Sequence, residues 1–257
     1  MIPSIPWYVT LVALATNVAI PVAVWSILSS AAGRSGLPPA VQRRFRLASA
    51  AVLGAWLVAA LLFAPSRASL AERDPFYLTP MIPLFFGTSI TAALLLFWRS
   101  QSFRRVLAAT SLPVLHAAQI WRVVGILFVI LYAQGQLPGH FALPAGWGDV
   151  AVGLMAPLVA LALARRIPGA DALAISWNLL GLLDLVVAVG MGTGLLAPIL
   201  APHLGPRVPP AAAMGAFPLI LVPALAVPLS MLLHFLCLAN LLKEVRLTSG
   251  PLAKPAS

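Results

Sequence analysis

His116, Gln119 and Arg122 stand three residues apart inside HAAQIWRVVGILFVILY, a run from 116 to 132 that is otherwise almost wholly apolar. Residues three apart lie on one side of a helix, so these side chains form a single polar stripe. A guanidinium in hydrocarbon costs several kcal/mol, so the stripe must face protein or water rather than lipid. Charges held at such depth mark transport, proton or ligand sites far more often than their number would suggest. The natural partner is Asp184 in WNLLGLLDLVVAVG, where Trp177, Gly181 and Ala188 share the face of the carboxylate and Asn178 adds a neutral polar group. A hydrogen-bonded Arg122–Asp184 pair offsets much of the cost of burying either charge. Two uses of that pair stand side by side: a strut that fixes helix register, or a midplane site for a small solute or proton.

Three further constellations carry chemistry. His116 and His234 both fall in the inner half of the membrane, where two histidines can be the axial ligands of a b-type haem held between helices; hydrogen-bonded packing is the competing use. Asp149 follows the loop GQLPGHFALPAGWG and is expected in the first turn of a span, where a carboxylate caps free N–H groups. The alternative gathers Asp149, His140 and His203 in an outer vestibule able to bind a metal or substrate. Asn17 and Asn240 read as interhelical hydrogen-bond donors. Cys237 stands alone in an apolar run, which leaves no intramolecular disulfide and no paired-cysteine metal site. No nucleophile elbow, P-loop, paired-histidine zinc motif or glycine-rich dinucleotide turn appears in a context that could support it.

The elements that must position these groups follow from composition. With 61% hydrophobic and 9% charged residues, the 257-residue chain lies outside the soluble range. A formal charge of +10 would suggest nucleic acid in a soluble chain, but here the cations fall in short clusters between apolar segments, and nucleic acid is set aside. A bilayer core needs about 20 apolar residues per helix. Seven segments qualify, near 6–29, 47–65, 78–98, 113–134, 149–165, 173–197 and 217–242, joined by linkers rich in Gly, Pro and Ser. The first has no basic region ahead of it and exceeds a signal peptide's apolar core, so it reads as a retained span.

Direction follows from the cations. Arg34, Arg43, Arg44, Arg46, Arg99, Arg104, Arg105, Arg165, Arg166, Lys243, Arg246 and Lys254 fall on one side, against Arg67, Arg73 and Arg207 on the other. The N-terminus is therefore expected outside and the C-terminus in the cytoplasm, with Tyr8, Tyr77 and Tyr132 at outer ends. The stretch 99–113 reads either as an interfacial helix or as a basic loop. Ala51, Ala55 and Ala59, together with Gly190, Gly192 and Gly194, are expected to bring backbones close, and Pro80, Pro83, Pro218, Pro223 and Pro228 to bend their helices.

At roughly 1.5 Å per residue, Arg122 lies about 13 Å and Asp184 about 16 Å into their spans, near the midplane. The last span carries no lysine for a retinal Schiff base, Lys243 lying beyond its inner end, and spans one and five show no repeat. The abundance of Arg over Lys and of Ala suggests a GC-rich bacterial genome. The sequence thus reads as an all-α integral membrane protein of a bacterial inner membrane. One domain of seven transmembrane helices covers 1–246, with a short mobile cytoplasmic tail at 247–257. Its leading function is passage of a small solute or proton, with Arg122 and Asp184 at the midplane and His116, Gln119 and Asn178 continuing the site inward. A positive remainder would favour an anion whenever the pair opens. A membrane haem protein or redox enzyme, and a sensor or assembly partner without a substrate, are the alternatives. Expected partners are the lipid bilayer and a small molecule or ion; no cofactor is expected outside the haem alternative.

Overall fold

The computed structural model describes residues 5–73, 81–200 and 211–248, with the side chains of 63–73, 81–85, 197–198 and 243–248 not described. Tyr77, Pro80, His203, Arg207, Lys254 and the tail beyond 248 lie outside the described residues. Among the described residues every regular element is helical. Apolar residues without strand periodicity, in runs long enough to close their own backbone hydrogen bonds, leave a chain in lipid only this solution.

The order is α1 (Trp7–Arg34), α2 (Pro39–Arg73), α3 (Met81–Arg99), α4 (Gln101–Ala108), α5 (Leu112–Ala117), a 3-10 helix (Ala118–Gly125) and α6 (Ile126–Ala133). There follow α7 (Gly139–Ala164), α8 (Ala170–Gly192), the single turn α9 (Ala197–Leu200), a short 3-10 turn (Ala212–Gly215), a π-helical turn (Val222–Ala226) and α10 (Val227–Thr248). Six stretches are long and apolar enough to cross a membrane: Trp7–Arg34, Pro39–Leu62, Leu112–Ala133, Gly139–Ala164, Ala170–Gly192 and Val222–Leu242. The described apolar part of α3, Phe86–Arg99, is shorter.

Several sequence expectations change. The span expected to begin at Asp149 begins at Gly139, because Pro138 marks the helix start while Pro144 and the glycines of HFALPAGWG lie inside the helix. Bundle packing tolerates such breakers where soluble helices do not. The residues 99–113 contain the true helix α4, capped by Ser100 Oγ, which accepts from the Phe103 N–H at 3.1 Å. Arg104 and Arg105 are exposed and Val106 and Leu107 buried, so α4 is amphipathic. Ala51, Ala55 and Ala59 are all exposed; α2 packs inward through Leu53 and Ala60 instead. Asn17 donates to the Ala13 carbonyl of its own helix at 2.8 Å and bridges no helices, whereas Asn240 does so, donating to Leu107 O at 3.2 Å. Pro223 lies within the π turn, where its missing N–H interrupts the ladder.

The buried apolar residues separate by depth. Val9, Leu131, Phe141 and Met191 pack near the start of α1; Ile20, Leu115, Leu225 and Leu233 pack further along; Leu112, Val159, Trp177 and Leu241 form a third group. At the α4 end, Val106 packs with Ala31 and Ala32 at the close of α1 and with Leu37 of the α1–α2 turn. At the other end, the Gln134 amide donates to Tyr8 Oη at 2.6 Å. Between these layers the 3-10 helix, α7, α8 and α10 enclose a polar core.

Candidate functional site: a buried guanidinium between two carboxylates

The apolar stretch Leu112–Ala133 is not uniform. Its α5 and α6 ends are α-helical, but eight residues between them, Ala118–Gly125, form a 3-10 helix. Three residues complete one 3-10 turn, so residues three apart eclipse; in an α-helix each such step slips by about 60°. Gln119, Arg122 and Gly125 accordingly line one face, and all three are buried. The tighter winding turns a drifting stripe into a straight one.

Arg122 is fully buried. Its Nε donates to Asp149 Oδ1 at 2.7 Å, and one Nη2 hydrogen goes to Asp184 Oδ2. Nη1 donates to the Gly181 carbonyl at 3.2 Å and to His234 Nε2 at 3.1 Å. Four N–H hydrogens on a planar fork thus reach α7, α8 and α10 from the 3-10 helix, a task that needs guanidinium geometry rather than a point charge. The two carboxylates keep 13% side-chain exposure each, against none for Arg122.

The approach is close because glycine lies opposite each acid. A Cβ added to Gly148 would overlap Asp184 Oδ1, and one added to Gly125 would overlap Asp149 Cβ. At Gly181 a Cβ would strike the His234 ring and come within 3.2 Å of Arg122 Nη1.

From His234 the hydrogen bonding continues in one sense. A guanidinium only donates and a backbone carbonyl only accepts, so the two ends of the chain fix every group between them. Arg122 donates to His234 Nε2; His234 Nδ1–H donates to Asn178 Oδ1 at 2.9 Å; Asn178 Nδ2 donates to His116 Nε2 at 2.9 Å; His116 Nδ1–H donates to Leu112 O at 2.7 Å. The second Asn178 amide hydrogen meets Ala174 O at 2.7 Å. Trp177 packs against both imidazoles, with ring centroids 5.4 Å from His116 and 5.1 Å from His234, and anchors its own N–H on Val152 O at 3.2 Å. Gln119 and Ser230 form a reciprocal pair: Gln119 Nε2 donates to Ser230 O at 3.0 Å and Ser230 Oγ donates to Gln119 Oε1 at 2.7 Å.

The structure therefore brings together His116, Gln119, Arg122, Asn178 and Asp184, and adds Asp149, His234 and Ser230. Asp149 is not in a first turn; it lies well inside α7, against Arg122. His140, nine residues earlier on the same helix, is about 14 Å away along the axis, so it and Asp149 do not share a vestibule. No described residue partners His140 Nε2, and His203 lies outside the described residues. The histidine pair does not fit a haem: the Asn178 amide stands between the rings, and each lone pair that would meet iron is taken by Arg122 or Asn178. Among the described residues no three His, Cys, Asp or Glu are grouped to hold a metal ion.

The charge count also changes sign. Two carboxylates face one guanidinium, with both histidines placed as neutral rings, so the cluster carries an excess acid rather than a positive remainder. Asp149 was legible in principle. Once α7 is started at Gly139, Asp149 lies ten residues in, and Arg122 lies eleven residues before the end of α6, matching depths in adjacent antiparallel spans.

No curated protein and no solved structure matches the chain. The family described as "Domain of unknown function (DUF8737)" matches residues 79–242, which hold α3 through most of α10 and every member of the cluster from His116 to His234. The match covers more than half of the sequence, and the chain belongs to that family.

Proposed function

We propose that the chain is a seven-span protein of a bacterial inner membrane, N-terminus outside and C-terminus cytoplasmic, that passes a small solute or proton through the Arg122 cluster. The seventh span in this reading is α3. Two contacts support it. Val106 of α4 packs on the α1–α2 turn, so α2 and α3 together leave that end and return to it. Tyr8 at the start of α1 meets Gln134 just beyond α6, and only an even number of crossings between them brings both to one end. The concentration of arginines at the α4 end supports the sidedness.

The observation that carries the functional reading is the Asp149–Arg122–Asp184 cluster itself. Three ionisable groups near the middle of an apolar bundle are far more than helix packing needs, since an apolar contact of similar volume holds helices together as well or better. In this reading Arg122, Asp149 and Asp184 line the site, His234 holds the guanidinium with Asn178 and His116 behind it, and Gln119 pairs with Ser230 beside them. Passage would proceed by alternating access, with the ion pairs remade as the cluster's charge changes.

A strut without a substrate is the second reading, favoured by the completeness of the Arg122 hydrogen bonding. Purified protein in liposomes loaded with a pH-sensitive dye separates the two. Acidification after an external pH step, lost in Asp184→Asn while helicity and monodispersity stay unchanged, supports passage. Wild-type traces identical to empty liposomes, for protons and for a panel of small solutes alike, support the strut.

A further inference from the structure

The excess acid of the cluster leaves carboxylate oxygens unspent. Each carboxylate spends one oxygen on Arg122, Asp149 through Oδ1 and Asp184 through Oδ2. Their other oxygens, Asp149 Oδ2 and Asp184 Oδ1, accept no hydrogen bond from a described residue and keep some exposure, so they are neither satisfied nor sealed off. Each is pressed against glycine: a Cβ at Gly125 would lie 2.9 Å from Asp149 Oδ2, and one at Gly148 would overlap Asp184 Oδ1.

These observations together choose the ligand. An unmatched negative charge at this depth is costly, and a single cation relieves it. A metal ion is usually held by several charged or imidazole ligands, and the described residues bring no three His, Cys, Asp or Glu together for one. An ammonium ion needs volume and acceptors for its several N–H groups, whereas the free oxygens lie on glycine backbone. A proton needs neither.

The titratable groups around the cluster are Arg122 from the 3-10 helix, Asp149 from α7, Asp184 from α8, His234 from α10 and, beyond it, His116 from α5. The titratable side chains of α1 and α6 (Tyr8, Arg34 and Tyr132) lie at the ends of those helices. Both imidazoles present lone pairs to donors and have no position open for a further proton without setting N–H against N–H.

We propose that the cluster binds one exchangeable proton, carried by Asp149 or Asp184, with Arg122 neutralising whichever carboxylate remains ionised. This rests on the cluster being a working site and names its ion. The proton adds to a carboxylate oxygen and leaves from it, with no bond broken elsewhere and no change of oxidation state.

The test is pH-difference infrared spectroscopy of the full chain in lipid bilayers. With the pH steps kept above the ordinary range of exposed carboxylates, wild type is expected to show one titrating carboxylic C=O band that shifts in D2O and on labelling with [4-13C]aspartate. Asp149→Asn and Asp184→Asn are each expected to lose it, because either change leaves one acid matched by one base. A band retained in either folded variant overturns the proposal in favour of a single independent acid. A wild-type band that ignores the aspartate label, or no titrating band at all, also overturns it, and these two outcomes need no variant to fold. The reading of passage fails separately: a correct band without flux through liposomes keeps the proton site and removes transport, and flux without the band does the reverse.

Discussion

Arg122 has five N–H hydrogens, and four meet acceptors on three different helices. Removing it strands two carboxylates, so Arg122→Gln should lower the unfolding free energy in detergent micelles by about 3–5 kcal/mol. Asp184→Asn leaves a matched pair and should cost clearly less; equal losses would show that the excess-acid description is wrong. Asn178 is the other critical residue. Asn178→Leu leaves His234 Nδ1–H and His116 Nε2 buried without partners, at about 1–3 kcal/mol for each orphaned group, and in 15N spectra of labelled histidine the two rings should lose their single fixed tautomer. At this scale the sequence showed the charges of Arg122 and Asp184 but neither the count of acids nor the geometry. A lone arginine and aspartate in apolar runs announce themselves, whereas the amide that holds two histidines apart depends on rotamers that no spacing encodes.

The helices position these groups by leaving atoms out. Gly148→Ala and Gly181→Ala drive a methyl into Asp184 and His234 and should each cost about 1–3 kcal/mol, read as a lower melting temperature. On α2, a Cβ at Gly54 meets nothing within 4 Å, so Gly54→Ala should be neutral or stabilising by up to about 1 kcal/mol. The same glycines explain why span five was misplaced in the sequence reading. Pro144, Gly146 and Gly148 look like loop residues because water is the usual alternative partner for a broken helix; in a bundle, Gly146 and Gly148 admit Val129 and Asp184 instead. The 3-10 segment was half legible. The spacing of His116, Gln119 and Arg122 was visible, but not the tighter winding that keeps the row straight as far as Gly125. Its hydrogen bonds have poorer geometry than those of an α-helix, so amides of 118–125 should exchange faster than those of 152–162 in α7, as hydrogen–deuterium exchange can check.

The whole molecule has two ends that labelling can separate. Cys237 is fully buried and gives a silent background. A membrane-impermeant maleimide should modify Trp7→Cys and Ala133→Cys from one face and Ala108→Cys only from the other; labelling of the first two from opposite faces would remove α3 as a span. Since span length is set by the bilayer and not by partners, hydropathy found six stretches long and apolar enough to cross, though it began the one in α7 ten residues late. Which helices touch it did not show, because in lipid apolar surface discriminates poorly between neighbours and small or polar residues decide. The line of hydrogen bonds from Arg122 to Leu112 has one more consequence at this scale. It looks like a conductor but is interrupted: the Asn178 amide receives hydrogen on oxygen and gives it from nitrogen, so it cannot hand a proton from one histidine to the other without changing its own bonding. If the cluster binds a proton as proposed, the row from His234 to Leu112 is insulation beside it, and exchange is expected through the partly exposed carboxylates of Asp149 and Asp184.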